Sequence, residues 1–264
     1  MTDSRTRKAP SLAGASVIVT RPAATAAGLV RGARSRGAHV VRLPGMRLCA
    51  IDDTAAAKRN LVAARGADTW IFTSPTAVLF GLSLLGSDPL PSSLRVCAVG
   101  AGTARALARN GIAAIAPAHL HNSEGLLAEP VLANISGQRI ALIEAPGGRD
   151  LLAPALRERG ALVESIAVYQ RKPPNLSERY LNALRNAERP WITLLSSAQA
   201  LTNLLAALPA ELAMRWRREA VVVSSQRLAE QTREHGFSDV HEAESALPKD
   251  LLAAAVAVLS RHRL

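Results

Sequence analysis

Aromatic residues are scarce. The 264-residue chain has three Trp, three Phe and two Tyr, 3% of the total, although 48% of it is hydrophobic. A core must then be built from Ala, Leu and Val, which suits helices packed on sheets and excludes a disordered or fibrous chain. Cysteine is scarcer still. Cys49 and Cys97 lie in separate segments and form neither a CxxC pair nor a disulfide framework, so they read as buried small hydrophobes in a reducing cytosol. The six histidines have no metal-site spacing: His119 and His121 lack an acidic or Cys ligand nearby, and no metal is expected.

Lysine is also rare, four against 28 Arg, and the formal net charge is +11. Arg favours bidentate pairing with carboxylate or phosphate, so an anionic ligand is expected, with Arg on solvated helix faces as the alternative. The arginines are dispersed, and neither an aromatic-rich RNA signature nor a helix-turn-helix is evident, which argues against a nucleic-acid partner. No apolar run approaches the ~18 residues of a membrane span. Arg5, Arg7 and Lys8 before SLAGASVIV mimic a signal peptide, but the run is short and diluted by Ser and Gly. It reads as a frayed tail entering a first strand, and the expected location is cytoplasmic.

Several catalytic signatures are missing too. No Gly-Lys-Ser/Thr of a P-loop occurs, and no Ser stands in a GxSxG elbow. VGAGTARA (99–106) offers the first two glycines of a dinucleotide fingerprint but puts Arg105 where a small residue must allow helix packing.

What the chain does have is one recurring unit: a short apolar strand, small polar residues, an amphipathic helix, and often a Gly before the next strand. SVIVT (16–20), HVVRLP (39–44), DTWIFTS (68–74), RVCAVG (95–100), RIALIEAP (139–146), WITLLSS (191–197), AVVVSS (220–225) and SDVHEA (238–243) read as strands. Between them, helices are expected with Ala104, Leu107 and Ala108 inward, with Leu151, Leu152, Ala155 and Leu156 inward, and last with Leu251, Leu252, Ala255, Val256 and Leu259 inward. Such alternation means parallel sheets covered on both faces, about five strands in each of two bodies.

Two stretches resemble crossings between those bodies. ESIAVYQRKPP (164–174) is a strand ending in Tyr169, two cations and a stiff Pro pair, although an ordinary edge strand running into a loop has the same look. VVRLPGMRL (40–48) shares its character, and Pro44-Gly45 break it; with only two short linkers between them, the two bodies are expected to move relative to one another. The expected organisation is a discontinuous α/β domain of 11–44 and 174–264 around an inserted α/β domain of 50–168, with linkers at 45–49 and 169–173.

Ligands of parallel α/β sheets bind beyond the carboxyl ends of the strands, against helix N-termini. Those ends carry Thr20 and Arg21, Thr73, Ser74 and Thr76, Gly102 and Thr103, Gly148 and Arg149, Ser197, and Ser225. Hydroxyls, small residues and free backbone N–H groups together bind anions, though Ser and Thr there are also the usual helix caps. Six such ends suit a large ligand with several carboxylates or phosphates. Tyr169 is the most distinctive polar aromatic: a phenol is ordinarily protonated at neutral pH and can donate a proton, or it can simply pack.

The ordered set VIVTRP (17–22), WIFTSPTAV (70–78), VCAVGAGTARAL (96–107), SEGLL (123–127), GGRDLL (147–152), RGALVESIAVYQR (159–171) and VVVSSQRLAE (221–230) resembles the uroporphyrinogen-III synthase family over nearly the whole chain. The resemblance implies two flavodoxin-like parallel-sheet domains joined by a two-stranded linker. It implies a lyase of heme biosynthesis that cyclises hydroxymethylbilane to uroporphyrinogen III, with inversion of ring D, loss of water and no cofactor. Transient contact with the upstream bilane-forming enzyme also follows from it. Substrate contacts would come largely from backbone N–H groups at helix starts, and Tyr169 would donate a proton to the leaving hydroxyl. Thr76 stands where many relatives carry Asn. The alternative is a non-catalytic two-domain binder of a polyanionic small molecule.

Overall fold

The computed structural model describes residues 11–120, 122–147 and 151–262. Among them eleven strands run in chain order: β1 (Ser16–Val19), β2 (His39–Arg42), β3 (Arg47–Ala50), β4 (Thr69–Phe72), β5 (Arg95–Ala98), β6 (Arg139–Glu144), β7 (Leu162–Ala167), β8 (Tyr169–Lys172), β9 (Trp191–Leu195), β10 (Ala220–Val223) and β11 (Val240–Glu242). They divide between two compact units. The first comprises the residues up to Arg47 and from Lys172 on, and the second is Leu48–Arg171.

The first unit holds a fully parallel sheet in the order β2-β1-β9-β10-β11. Renumbered within the unit this is 2-1-3-4-5, the flavodoxin-like order. Its central strands are apolar but for Ser16 and Thr193 because both faces are covered. Ile18, Trp191, Leu195, Val221 and Val223 face one helical layer, while Val17, Val19, Ile192, Leu194 and Val222 face the other. One helix of the first layer, Ala210–Arg217, is hard to see in the sequence, because AELAMRWR is only eight residues long and one Glu and two Arg interrupt its apolar residues. Trp216 holds it down: its indole is buried and donates to the hydroxyl of Thr193 in β9 at 2.8 Å.

The second unit has four parallel strands, β5-β4-β6-β7, rather than the expected five. The fifth is reduced to a single bridge. Ile115 pairs beside Cys97 through Ala98 N–H to its carbonyl and its own N–H to Val96. GIAAIAP is too short and too Pro-bounded to extend that pairing. Alternation again sorts the core, with Trp70, Phe72, Ala141 and Ile143 on one face and Ile71, Ile140 and Leu142 on the other.

Helix faces depart from expectation where Ala and Val surround the helix axis on all sides. In Ala101–Ala108 the buried residues are Thr103, Ala106 and Leu107, and Ala108 is exposed. In Leu152–Glu158 they are Leu152, Ala153 and Leu156, and Leu151 is exposed. In Pro248–Arg261 Val258 takes the buried place expected of Val256. Without polar residues to mark the solvent side, small apolar side chains define a face poorly.

The chain passes between the units through β3 and β8, which pair as a two-stranded sheet. The stretch 164–174 is therefore two strands. β7 completes the second unit's sheet, and Val168 makes the switch: its N–H donates to Glu144 O at 3.0 Å and its carbonyl accepts from Ile51 at 3.4 Å. The Pro44-Gly45 corner is fastened inside the first unit. Gly45 donates to Thr20 O at 2.8 Å and accepts from Asn203 Nδ2 at 2.9 Å. A Cβ on it would stand 2.5 Å from Ala200 Cβ and 2.7 Å from Ala200 Cα, so only glycine permits this approach.

Candidate functional site

Each sheet reverses its strand order at one place, β1/β9 in the first unit and β4/β6 in the second, where parallel α/β sheets as a rule form a crevice beyond the strand ends. The same device closes the floor of both. Thr20 follows β1, is 1% exposed, and donates its hydroxyl to Leu194 O of β9 at 2.8 Å. Thr73 follows β4 and gives both its N–H, at 3.1 Å, and its hydroxyl, at 3.3 Å, to Ile143 O of β6. Each threonine thus latches the first strand of its unit to the strand across the reversal. The residues after it are held at the crevice mouth.

In the first unit that residue is Arg21. Its Nε donates to Ser196 Oγ at 3.2 Å and its Nη2 to the carbonyl of Ala246, so one guanidinium ties three segments. Partial burial pulls its pKa below the ordinary arginine value, and it keeps its charge. Ser197 caps the helix Ala198–Ala207 by accepting Ala200 N–H at 3.3 Å, and Ser225 caps Gln226–Glu234 by accepting Leu228 N–H at 3.4 Å.

In the second unit the residue after the latch is Ser74. Its hydroxyl caps the helix Pro75–Leu85, accepting Ala77 N–H at 3.1 Å, and lies 3.2 Å from the hydroxyl of Tyr169. Either hydroxyl can donate to the other; in the arrangement where Ser74 donates, the phenol proton is left for a ligand. The Tyr169 ring is 3% exposed. It stacks on Phe80 at 5.8 Å between centroids and 13° between planes, and Arg171 sits 5.8 Å over it. Thr76 is not the cap; it lies buried in the helix's first turn, as Thr103 does in the first turn of Ala101–Ala108. Gly102 stands beside Pro75, where a Cβ would meet Pro75 Cγ at an ordinary 3.7 Å. Gly148 and Arg149 lie outside the described residues.

The hydroxyls of Thr20, Thr73, Ser74, Ser197 and Ser225 are therefore spent on carbonyls and on the third N–H of each helix. What these turns offer an anion is main chain, the first N–H groups of four helices (in Pro75–Leu85 starting from Thr76, since proline has none), together with the positive ends of their dipoles. The sequence gives no sign of Ser196 or Phe80 as partners of Arg21 and Tyr169. Phe80 has one available signal: it is one of only three Phe and lies four residues past Thr76 on an apolar helix.

A family model described as uroporphyrinogen-III synthase HemD matches residues 27–253. The chain belongs to the uroporphyrinogen-III synthase family. It is 31% identical to the uroporphyrinogen-III synthase of Salmonella typhimurium over 249 residues, which cover 90% of this chain and 99% of that one. The uroporphyrinogen-III synthase of Escherichia coli is 29% identical over 248 residues, with the same coverage. Among solved structures, that from Helicobacter pylori matches with a TM-score of 0.63 at 16% identity, covering 92% of this chain and 99% of its own. A mutant uroporphyrinogen III synthase from Thermus thermophilus matches at 0.53 and 21%, covering 94% and 98%. These likenesses bear out the fold of two parallel-sheet α/β units. Family membership places the chain among the enzymes of tetrapyrrole biosynthesis rather than among non-catalytic anion binders.

Proposed function

We propose that this chain cyclises hydroxymethylbilane to uroporphyrinogen III, acting as a cofactor-independent carbon–oxygen lyase. The observation that carries the reading is the pair of latched crevices, each lined by helix starts whose N–H groups suit the eight carboxylates of the bilane. Thr20, Arg21, Ser197 and Ser225 present those groups in the first unit; Thr73, Ser74, Thr76, Gly102 and Thr103 do so in the second.

Tyr169 sits at the second crevice with its phenol oriented by Ser74. In the proposed reaction its proton goes to the departing hydroxyl of the bilane, the carbon–oxygen bond breaks, and water leaves. The resulting azafulvenium cation is attacked by the substituted carbon of ring D, giving a spiro intermediate. That intermediate fragments and recloses with ring D inverted, and the proton lost on rearomatisation restores the phenol. The remaining task is positional: the N–H groups hold the carboxylates so that the chain ends meet at the substituted carbon. Delivery of the bilane by transient contact with the enzyme that forms it, in the cytoplasm, belongs to the same proposal. Incubation of the purified protein with hydroxymethylbilane, followed by oxidation and separation of porphyrin isomers, tests it. Type III product is expected, and type I alone would refute the reading.

A further inference from the structure

A groove of about 700 Å³ in the first unit runs along β2. β2 is the last strand on its side of the sheet, so one of its edges has no strand beside it. His39 and Leu43 donate their N–H groups inward to Ala15 and Val19. By the alternation of a parallel ladder, the N–H and C=O groups of Val40 and Arg42 then point outward into the groove.

Cations stand on both flanks of this edge. Val40 packs with one helical layer of the unit and Val41 with the other, so Arg42 lies on the side of Val40 and His39 on the side of Val41. Arg34, at the end of the helix Ala23–Arg34, and Arg179, in the first turn of Glu178–Arg185, line the groove as well. All three guanidiniums are exposed, no ion pair joins any of them among the described residues, and no carboxylate lines the groove. His39 meets Ser16 Oγ through Nδ1 at 3.3 Å, which leaves Nε2 for a ligand.

We propose that the β2 edge is a docking site for an extended acidic segment of a partner protein, about four to six residues long, that adds to the sheet as a sixth strand. The combination selects the occupant. A compact anion would satisfy the guanidiniums and leave the row of backbone groups unpaired. A second copy of this chain, at +11, is repelled by the cations, as charged residues on edge strands ordinarily repel self-pairing. A segment alternating Asp or Glu with apolar residues satisfies the backbone row and the cations on the flanks together.

The test uses the whole protein and a fluorophore-labelled, end-blocked hexapeptide of alternating Glu and Val, followed by anisotropy at low salt. Saturable binding is expected, with slowed amide exchange at Val40 and Arg42. Arg34→Glu/Arg42→Glu/Arg179→Glu, checked for folding by circular dichroism, is expected to weaken binding about tenfold or more, since several cation contacts are reversed together. A hexapeptide N-methylated at alternate residues is expected to lose as much, because it cannot complete the ladder. Absence of binding by the parent, equal binding by the triple variant, equal binding of the N-methylated peptide, or no protection in β2 would each overturn the proposal.

Discussion

Tyr169→Phe separates packing from chemistry. The change removes one oxygen and keeps the ring against Phe80, so the stacked pair survives. The lost hydrogen bond is long, 3.2 Å, and Ser74 retains Ala77 N–H as a partner. A net hydrogen bond contributes ~0.5–1.5 kcal/mol, and the low end applies because no buried group is orphaned. Turnover is expected to fall further than stability does. General acid assistance contributes ~10²–10⁴-fold, and a bound water can partly replace the phenol, so the loss should reach about 10–100-fold. Ser74→Ala provides the counterpart: it removes the cap, worth about 1 kcal/mol, along with the hydroxyl that orients the phenol, so it should cost more stability and less rate. Denaturant curves together with bilane turnover and isomer separation measure both. Residual product should stay type III, because isomer choice lies with the crevices. Undiminished turnover of folded Tyr169→Phe would reduce the residue to packing, and a switch to type I would make it the residue that steers ring D.

Other outcomes follow from the same geometry. Thr20→Val keeps shape but removes a buried 2.8 Å bond, so it should destabilise by about 1–2 kcal/mol, more than Thr73→Val, whose hydroxyl bond is 3.3 Å and half-buried; urea midpoints that reverse this order would refute the latch. Gly45→Ala should cost roughly 2–3 kcal/mol or misfold the first unit, since backbone as well as side chain of Ala200 stands in the way; a neutral result would mean the corner is loose. Burial pushes the Cys97 thiol up to about 11 from an ordinary 9.0, with Arg95 opposing and Glu129 adding to the shift. The folded state therefore holds this proton longer than the unfolded chain does. The contribution is complete below pH 9 and is lost as pH climbs toward 11, by up to about 3 kcal/mol at ~1.4 kcal/mol per pH unit. Cys97→Ala should flatten that part of the stability profile, and an unchanged slope would refute the assignment.

The sheets were legible because strands buried on both faces must be apolar along nearly their whole length, as WITLL and AVVV are. Helices were legible even without charge, as in Pro75–Leu85 and Ala198–Ala207, but the face each buries was less so. Ala210–Arg217 escaped because it is short and follows the helix Ala198–Ala207 after only Leu208 and Pro209, although Leu212, Ala213 and Trp216 form its buried face. At the candidate site the residue types were readable and their partners were not. Ser74 with Tyr169, and Thr20 with Leu194, are pairings across 95 and 174 positions that no local pattern encodes. The groove along β2 was equally hidden, because Arg179 joins Arg34 and Arg42 there from more than 130 positions further along the chain.

The latch of Thr20 onto Leu194 also sets a schedule for the nascent chain. β1 and β2 leave the ribosome first, yet their sheet lacks its centre until β9 arrives. At ~5–20 residues per second the 174 intervening residues take roughly 9–35 s to synthesise. A two-stranded parallel pair does not stand alone in water, so SVIV stays unpaired and apolar through that interval. Leu48–Arg171 is contiguous and has its sheet complete before β9 is made. During synthesis, then, the N-terminal strands are what a chaperone must shield and where aggregation begins. A codon-driven pause between β8 and β9 would lengthen that exposure and lower the yield of folded protein without altering a residue.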